Sequence, residues 1–187
     1  MGRNALFDKD DIMDAAAREA AHGRPLTIQT LAETSGASVG SIYHRFESRA
    51  ALLAETWLHA VERFQDAFLP PLRAAVTPGQ GCEAALVVPR WSRSNLPLAA
   101  LLAMRSQGDF VGPDTPAPLR RRAASANSAL EREIDAFSKR TRLPLLDCRV
   151  ALIGMPYGSV RLFLPGRAPP ADVDDLITRA YHGLVKP

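Results

Sequence analysis

The chain has 187 residues, of which 47% are hydrophobic and 23% are charged, a balance that predicts ordinary globular domains and excludes a largely disordered protein. No apolar run reaches the length of a membrane span, and the start MGRNALFDKDDI lacks the apolar stretch of a secretion signal, so we expect a cytoplasmic protein without a membrane partner. The formal net charge is +3, but residues 1–60 hold six basic and eight acidic side chains, whereas the remainder hold seventeen and twelve. Bulk charge therefore locates no nucleic-acid site, and such a site would depend on a few well-placed cations.

The two cysteines, Cys82 and Cys148, are far apart in the sequence, and neither belongs to a CxxC pair. This spacing indicates neither a disulfide framework nor a zinc module. We therefore expect two buried free thiols and no cofactor.

Four helices are predicted in the first seventy residues. Each follows a residue suited to an N-terminal cap, namely Asp8, Thr27, Ser38 and Ser48. Glycines suit the ends of the first two helices, and we expect Pro70 and Pro71 to end or kink the fourth. The predicted segments are residues 8–22, 27–36, 39–46 and 49–69.

The rest of the chain also favours helices, after a turn-rich break, VTPGQG, at residues 76–81. Runs of alternating β-branched residues are missing from the sequence, which predicts an all-α protein of about nine helices. A small three-helix unit at residues 1–50 should join a larger helical domain at residues 51–187. The further predicted segments are residues 82–94, 96–107, 116–142, 145–164 and 170–185.

The stretch SGASVGSIYHRF, residues 35–46, joins two short helices through a glycine turn, which is the pattern of a helix-turn-helix. A helical projection places Val39, Ile42 and Phe46 toward the core. The same projection turns the other side chains outward or to the flanks, namely Gly40, Ser41, Tyr43, His44 and Arg45. Slim residues and hydrogen-bond donors suit a helix that enters a DNA major groove about 12 Å wide.

Arg49 lies in the first turn of the fourth helix, where the positive end of the helix dipole disfavours a cation. A nearby phosphate would reverse this effect, and the backbone N–H groups of the same turn could bind that phosphate as well. The alternative is structural: Tyr43 packs into the core, His44 is solvated, and Arg49 pairs with Glu47 or Glu55.

The sequence TIQTLAETSGASVGSIYHRFESRAALL resembles the signature of TetR-family (tetracycline-repressor-like) transcriptional regulators over residues 8–57. The resemblance implies an N-terminal helix-turn-helix domain and a C-terminal helical domain for an effector and for dimerisation. It places Thr27, Gln29, Val39, Gly40, Ser41 and Tyr43 toward the DNA. It also implies that Tyr43, Arg45 and Arg49 hold phosphates, with Thr27 and Ser38 supporting them. Arg49 stands where the family usually has Lys, which keeps the positive charge. The family's basic residue near the start of the first helix is replaced here by FDKDD, and Arg3 is our candidate for supplying that positive charge instead.

A homodimer through the last two long helices is predicted, because residues 145–164 are apolar on more than one face and need a partner. Gly154 and Gly158 would permit close approach there, and Pro156 should kink the helix. Two recognition helices about 34–36 Å apart would then read a palindromic double-stranded operator.

A cavity in the C-terminal domain would hold a small apolar or aromatic effector. Its candidate lining residues are the aromatic and sulfur side chains Trp57, Phe64, Trp91, Met104, Phe110, Phe137, Met155 and Tyr157. We therefore predict a dimeric repressor that its effector releases from DNA. The alternative is a helix-turn-helix protein, regulatory or structural, that takes no effector, and a densely packed C-terminal domain would favour it.

An enzyme is not expected, because the sequence contains no GxSxG, Walker or dinucleotide-binding motif. Glu55, His59 and Glu62 have a spacing that could bring metal ligands together on one helix face. No HExxH motif accompanies them, so we favour a surface face with ion pairs.

Overall fold

The computed structural model describes residues 9–23 and 26–185. Over these two ranges the chain contains helices, turns and irregular segments but no strand, which confirms the all-α prediction. Nine helices lie in them: α1 Lys9–Ala21, α2 Ile28–Ser35, α3 Val39–Arg45, α4 Arg49–Ala74, α5 Gly81–Ser94, α6 Leu96–Met104, α7 Ala117–Thr141, α8 Leu145–Arg149 continued through Val150–Gly154 and Met155–Arg161, and α9 Asp172–Leu184. No helix of the described residues is long and apolar enough to cross a membrane.

The caps predicted for the second, third and fourth helices are formed. The hydroxyl groups of Thr27, Ser38 and Ser48 each accept the backbone N–H three residues later, at 3.0 to 3.1 Å. Gly36 ends α2 with φ at 72°, a left-handed conformation that glycine adopts without strain, and its N–H donates to the Ala32 carbonyl at 3.0 Å. These local bonds fix the turn between α2 and α3.

Three predicted helix ends are wrong: those of α4 and α6, and that of α8, which ends at Arg161 rather than at residue 164. The helix α4 continues through Pro70 and Pro71 to Ala74, because the buried Leu69 and Leu72 hold its last turns against the core even though both prolines lack an N–H. The helix α6 ends at Met104 rather than near residue 107. A short 3₁₀ turn, Gln107–Asp109, follows it and is held by its own capping box.

Two apolar cores organise the chain, and α1 and α4 contribute to both. The smaller core lies among α1 to α4 and includes Ile12, Leu31 and Ile42. Most of the larger core comes from α4 to α9, but Ala17 and Ala20 of α1 also belong to it. The helix α1 packs on α6 as well as on α4, so the small N-terminal unit is attached to the large domain by apolar contact and by the shared helix.

The middle of α8 contains a widened π turn, Val150–Gly154, just before Pro156. The N–H of Met155 donates to the carbonyl of Val150, five residues back. Pro156 has no N–H to complete a regular α turn, which accounts for an irregularity at this point. The kink predicted at Pro156 is not what the described residues show next to it; they show a local widening of the helix.

Candidate functional site

The outward face of α3 is exposed, as the helical projection predicts. Tyr43 is 59% exposed, which excludes the alternative in which its ring packs into the core. Gly40 and His44 are exposed too, and a Cβ atom added at Gly40 would meet no neighbouring atom. Val39 is 40% exposed, because the first turn of α3 projects beyond the core, so the projection that placed Val39 inward is wrong.

Arg45 and Ser41 form a pair on one flank of α3, one helical turn apart. The Arg45 guanidinium donates to the Ser41 hydroxyl and, at 3.5 Å, to the Ser41 carbonyl. Both side chains are partly exposed. The guanidinium therefore lies along the helix surface beside Ser41, one of the residues expected to contact DNA.

Arg49 has neither of the acidic partners considered from the sequence. Its Nε donates to the backbone carbonyl of Leu26 at 3.1 Å, whereas Glu55 pairs with Lys9. This bond ties the first turn of α4 to the segment before α2. Because Arg49 is exposed, its remaining N–H groups can face a ligand outside the protein.

The other predicted DNA contacts lie at helix starts or outside the described residues. The hydroxyls of Thr27 and Ser38 are engaged as caps, so both residues support the helix starts. Gln29 is exposed on the first turn of α2. Arg3, the candidate arm cation, lies outside the described residues.

A partly open cavity of about 180 Å³ lies in the larger domain, among α4, α5, α6, α7 and α8. Three of the eight predicted lining residues border it: Phe64, Trp91 and Tyr157. The Phe64 and Trp91 rings meet edge to face, with centroids 5.4 Å apart. The cavity therefore has an aromatic wall built from two helices, α4 and α5.

The five other predicted lining residues lie elsewhere. Trp57 and Phe110 stack on each other, with ring centroids 5.7 Å apart, near the N-terminal unit. Phe137 is fully buried beside Gly81, Met155 packs against the core on another side of α8, and Met104 is 42% exposed at the end of α6. Aromatic or sulfur character alone does not determine which face of a helix borders the cavity.

The polar residues of the cavity were not anticipated from the sequence. Gln65, Ser92 and Asn127 line it together with Tyr157. A usable signal exists for Gln65, because it interrupts the apolar stripe of α4 immediately after Phe64 and three residues before Phe68. Ser92 and Asn127 give no comparable signal.

The three residues considered as metal ligands do not converge. Glu55 and Glu62 form ion pairs with basic side chains of α1 and α7, while Nε2 of His59 lies 3.2 Å from a carboxylate oxygen of Asp14. Across residues 9–23 and 26–185 there is no group of three His, Cys, Asp or Glu side chains that could hold a metal ion. His59 is buried between α1 and α4, so it fastens these two helices.

An exposed stripe runs along α8 and the residue that follows it, at four-residue spacing: Leu146, Val150, Gly154, Gly158 and Leu162. In a regular helix such a stripe drifts around the axis, but the π turn between Val150 and Gly154 reduces the drift. A Cβ at Gly158 would meet no neighbouring atom. Three other residues of the same helix, Ile153, Tyr157 and Val160, border the cavity, so α8 contributes both to the cavity and to this stripe.

Comparison with known families identifies the N-terminal unit. The model of the family described as bacterial regulatory proteins, tetR family, matches residues 12–56. A search of curated proteins found no match to the sequence. The family match spans α1 to the start of α4 and so contains the exposed face of α3.

Solved structures resemble the whole chain. The TetR-family transcriptional regulator PfmR from Thermus thermophilus is 20% identical, with 97% of each chain covered and a TM-score of 0.73. A TetR-family regulator from Marinobacter aquaeolei is 16% identical, with 94% of each chain covered and a TM-score of 0.71. FadR from Bacillus subtilis, solved with stearoyl-CoA, is 15% identical, covers 96% of this chain and 98% of its own, and has a TM-score of 0.70. At these identities the likeness establishes the fold.

Proposed function

Because the chain belongs to the TetR family in its helix-turn-helix domain and in its overall fold, we propose that it is a homodimeric repressor, released from a palindromic operator by a small molecule. The observation that carries the proposal is the exposed face of α3, which presents Gly40, Tyr43 and His44 to solvent inside the matched domain. We place the boundary between the DNA-binding domain and the effector domain at the start of α4, with residues 1–50 before it and residues 51–187 after it.

The proposed DNA contacts fall into two classes. Ser41, Val39 and Gln29 face base edges, since they are small or carry an amide at the leading turns of α3 and α2. Tyr43, Arg45 and Arg49 bind phosphates. The bond from Arg49 to Leu26 supports this role, because it holds the guanidinium in place before DNA arrives.

The stripe on α8 and the exposed Leu176 and Leu184 of α9 support dimerisation through the last two helices. Five positions at four-residue spacing, two of them glycine, allow the α8 helices of two protomers to cross closely. A two-fold axis there would place the two α3 helices on one face of the DNA, about one helical turn apart.

The cavity supports release by an effector, and it counts against the alternative of a protein without one. Ala99 and Leu102 of α6 border the cavity, and α6 packs on α1 of the DNA-binding domain. A ligand that favours one arrangement of α6 therefore shifts α1, and with it the separation of the recognition helices. Stearoyl-CoA in FadR is the example of a small molecule bound to this fold.

Tyr43→Ala tests the DNA contact directly. We expect about tenfold weaker binding to every duplex, because one hydrogen bond to a phosphate is lost in each protomer. The unfolding temperature should not change, since the ring is exposed and makes no core contact. The measurement is fluorescence anisotropy with labelled duplex DNA at several salt concentrations.

The salt dependence separates Tyr43 from a charged contact. Tyrosine is neutral, so its loss should leave the slope of affinity against salt unchanged. If the wild-type protein fails to bind duplex DNA even at low salt, the proposed function is wrong. If Tyr43→Ala binds as tightly as the wild type, α3 does not contact DNA through this residue.

A further inference from the structure

The effector cavity has a specific polar lining despite its apolar walls. Gln65 is 7% exposed and Ser92 is 3% exposed, and both border the cavity with the half-buried Tyr157. Burial raises the pKa of the Tyr157 hydroxyl, so the side chain is a neutral phenol at ordinary pH. These three residues come from α4, α5 and α8.

Two of the three can only accept a hydrogen bond from a ligand. The Tyr157 hydroxyl donates to the Leu102 carbonyl at 2.5 Å, and the Ser92 hydroxyl donates to the Val88 carbonyl at 2.7 Å. A hydroxyl group has one proton, and in both residues that proton is engaged with a backbone carbonyl. Each oxygen keeps free lone pairs.

Gln65 adds the third acceptor. Its Nε2 donates to the Ala126 carbonyl at 2.8 Å, which sets the orientation of the amide. Among the described residues its Oε1 has no hydrogen-bond partner, and this oxygen is not sealed inside the protein. An amide oxygen left open in an apolar cavity is a strong site for a ligand donor, because leaving it unpaired costs free energy.

The lining excludes a charged ligand. None of the thirteen lining residues, all within the described ranges, carries an ionisable acid or base other than the Tyr157 phenol. A carboxylate or phosphate placed there would lose its hydration without gaining a counter-charge. The volume is also small: about 180 Å³, where an apolar cavity of about 150 Å³ holds one benzene ring.

We propose that the cavity binds a neutral molecule of about one aromatic ring that carries a hydrogen-bond donor, such as a phenol, and that Gln65 Oε1 receives that donor. The Phe64 and Trp91 rings contact the apolar body, and Tyr157 and Ser92 offer further acceptors. The assignment of this ligand as the effector rests on the proposed function. A long acyl-CoA, with its phosphates, fits neither the volume nor the lining.

Three probes of matched shape test the proposal: 4-ethylphenol, 4-ethylanisole and 4-ethylbenzoate. The ether keeps the ring but lacks the donor, and the benzoate adds a negative charge. With the full-length protein, we expect calorimetry to give at least about tenfold tighter binding of the phenol than of the ether, and no measurable binding of the benzoate.

The variant Gln65→Met removes the acceptor and keeps the length of the side chain. It should reduce the preference for phenol over ether to about twofold or less. Tyr157→Phe is a second variant that keeps the cavity wall, and it should reduce the preference in part. Tyr181→Phe is its matched control, because the Tyr181 hydroxyl also donates to a backbone carbonyl, that of Pro78 at 2.7 Å, but does not border the cavity.

The proposal is wrong if the wild-type protein binds 4-ethylphenol and 4-ethylanisole equally tightly. It is also wrong if 4-ethylbenzoate binds most tightly of the three. An unchanged preference in Gln65→Met overturns the role of that residue. Each of these results leaves the DNA-binding function intact, since the duplex titration measures that function separately. Tight binding of the phenol that leaves operator affinity unchanged supports the ligand class and contradicts release by the effector.

Discussion

Gly158→Glu is expected to convert the dimer into a monomer and to raise its dissociation constant by about a hundredfold or more. The position lies in the exposed stripe of α8, where a new side chain meets no atom of its own protomer. In the proposed interface the two glutamates would be buried near each other without a partner, a change that costs about 3–5 kcal/mol. Operator affinity should fall in parallel, because each monomer holds only one recognition helix.

The control for this variant is Gly112→Glu, which adds the same charge at another glycine with open space around it, between α6 and α7. It should remain dimeric. Mass by light scattering after gel filtration distinguishes the two variants, and their unfolding temperatures show whether both are folded. A dimeric Gly158→Glu would place the interface on another surface.

Arg49→Ala should weaken binding to every duplex by about tenfold to a hundredfold, because charge-assisted hydrogen bonds are stronger than neutral ones. The slope of log affinity against log salt should fall by about two, one phosphate contact for each protomer. A small decrease in unfolding temperature is also expected, since the bond from Arg49 to the Leu26 carbonyl is lost.

Arg73→Ala is the matched control for Arg49, because it removes one exposed arginine of the same helix that pairs with Glu133 instead. Its duplex affinity and salt slope should match those of the wild type in an anisotropy titration. Arg49→Lys keeps the positive charge but loses the planar guanidinium group. The slope of log affinity against log salt should therefore match that of the wild type, and the affinity should lie between those of the wild type and Arg49→Ala. If the slope of log affinity against log salt is unchanged in Arg49→Ala, then Arg49 does not bind a phosphate and serves only to hold α4 to the Leu26 carbonyl.

The N-terminal domain could be predicted closely because its signals are local. The hydroxyls of Ser38 and Ser48 and the left-handed Gly36 specify helix ends through bonds three or four residues long. The predictions that failed here concern features that tertiary contacts decide. Buried leucines let α4 continue past two prolines, and Val39 is exposed because the core ends below it. The partner of Arg49, a backbone carbonyl 23 residues away, has no local signal at all.

The cavity was less predictable because its lining comes from five helices. Aromatic residues were a reasonable guess, but Trp57 and Phe137 fill core positions with the same chemistry. Packing in the folded chain determines where the Gln65 amide points, since it donates to the Ala126 carbonyl. A hydrogen bond within α5 likewise engages the Ser92 hydroxyl. Neither bond can be read from the sequence. The choice of ligand rests on those bonds.

The most direct test of the account is a selection of binding sites by the full-length protein from random duplex DNA. We expect enrichment of an inverted repeat whose half-site centres lie about 10–10.5 base pairs, or a multiple of that distance, apart. Enrichment of no sequence, or of single sites without two-fold symmetry, would contradict a dimeric regulator that reads an operator through α3.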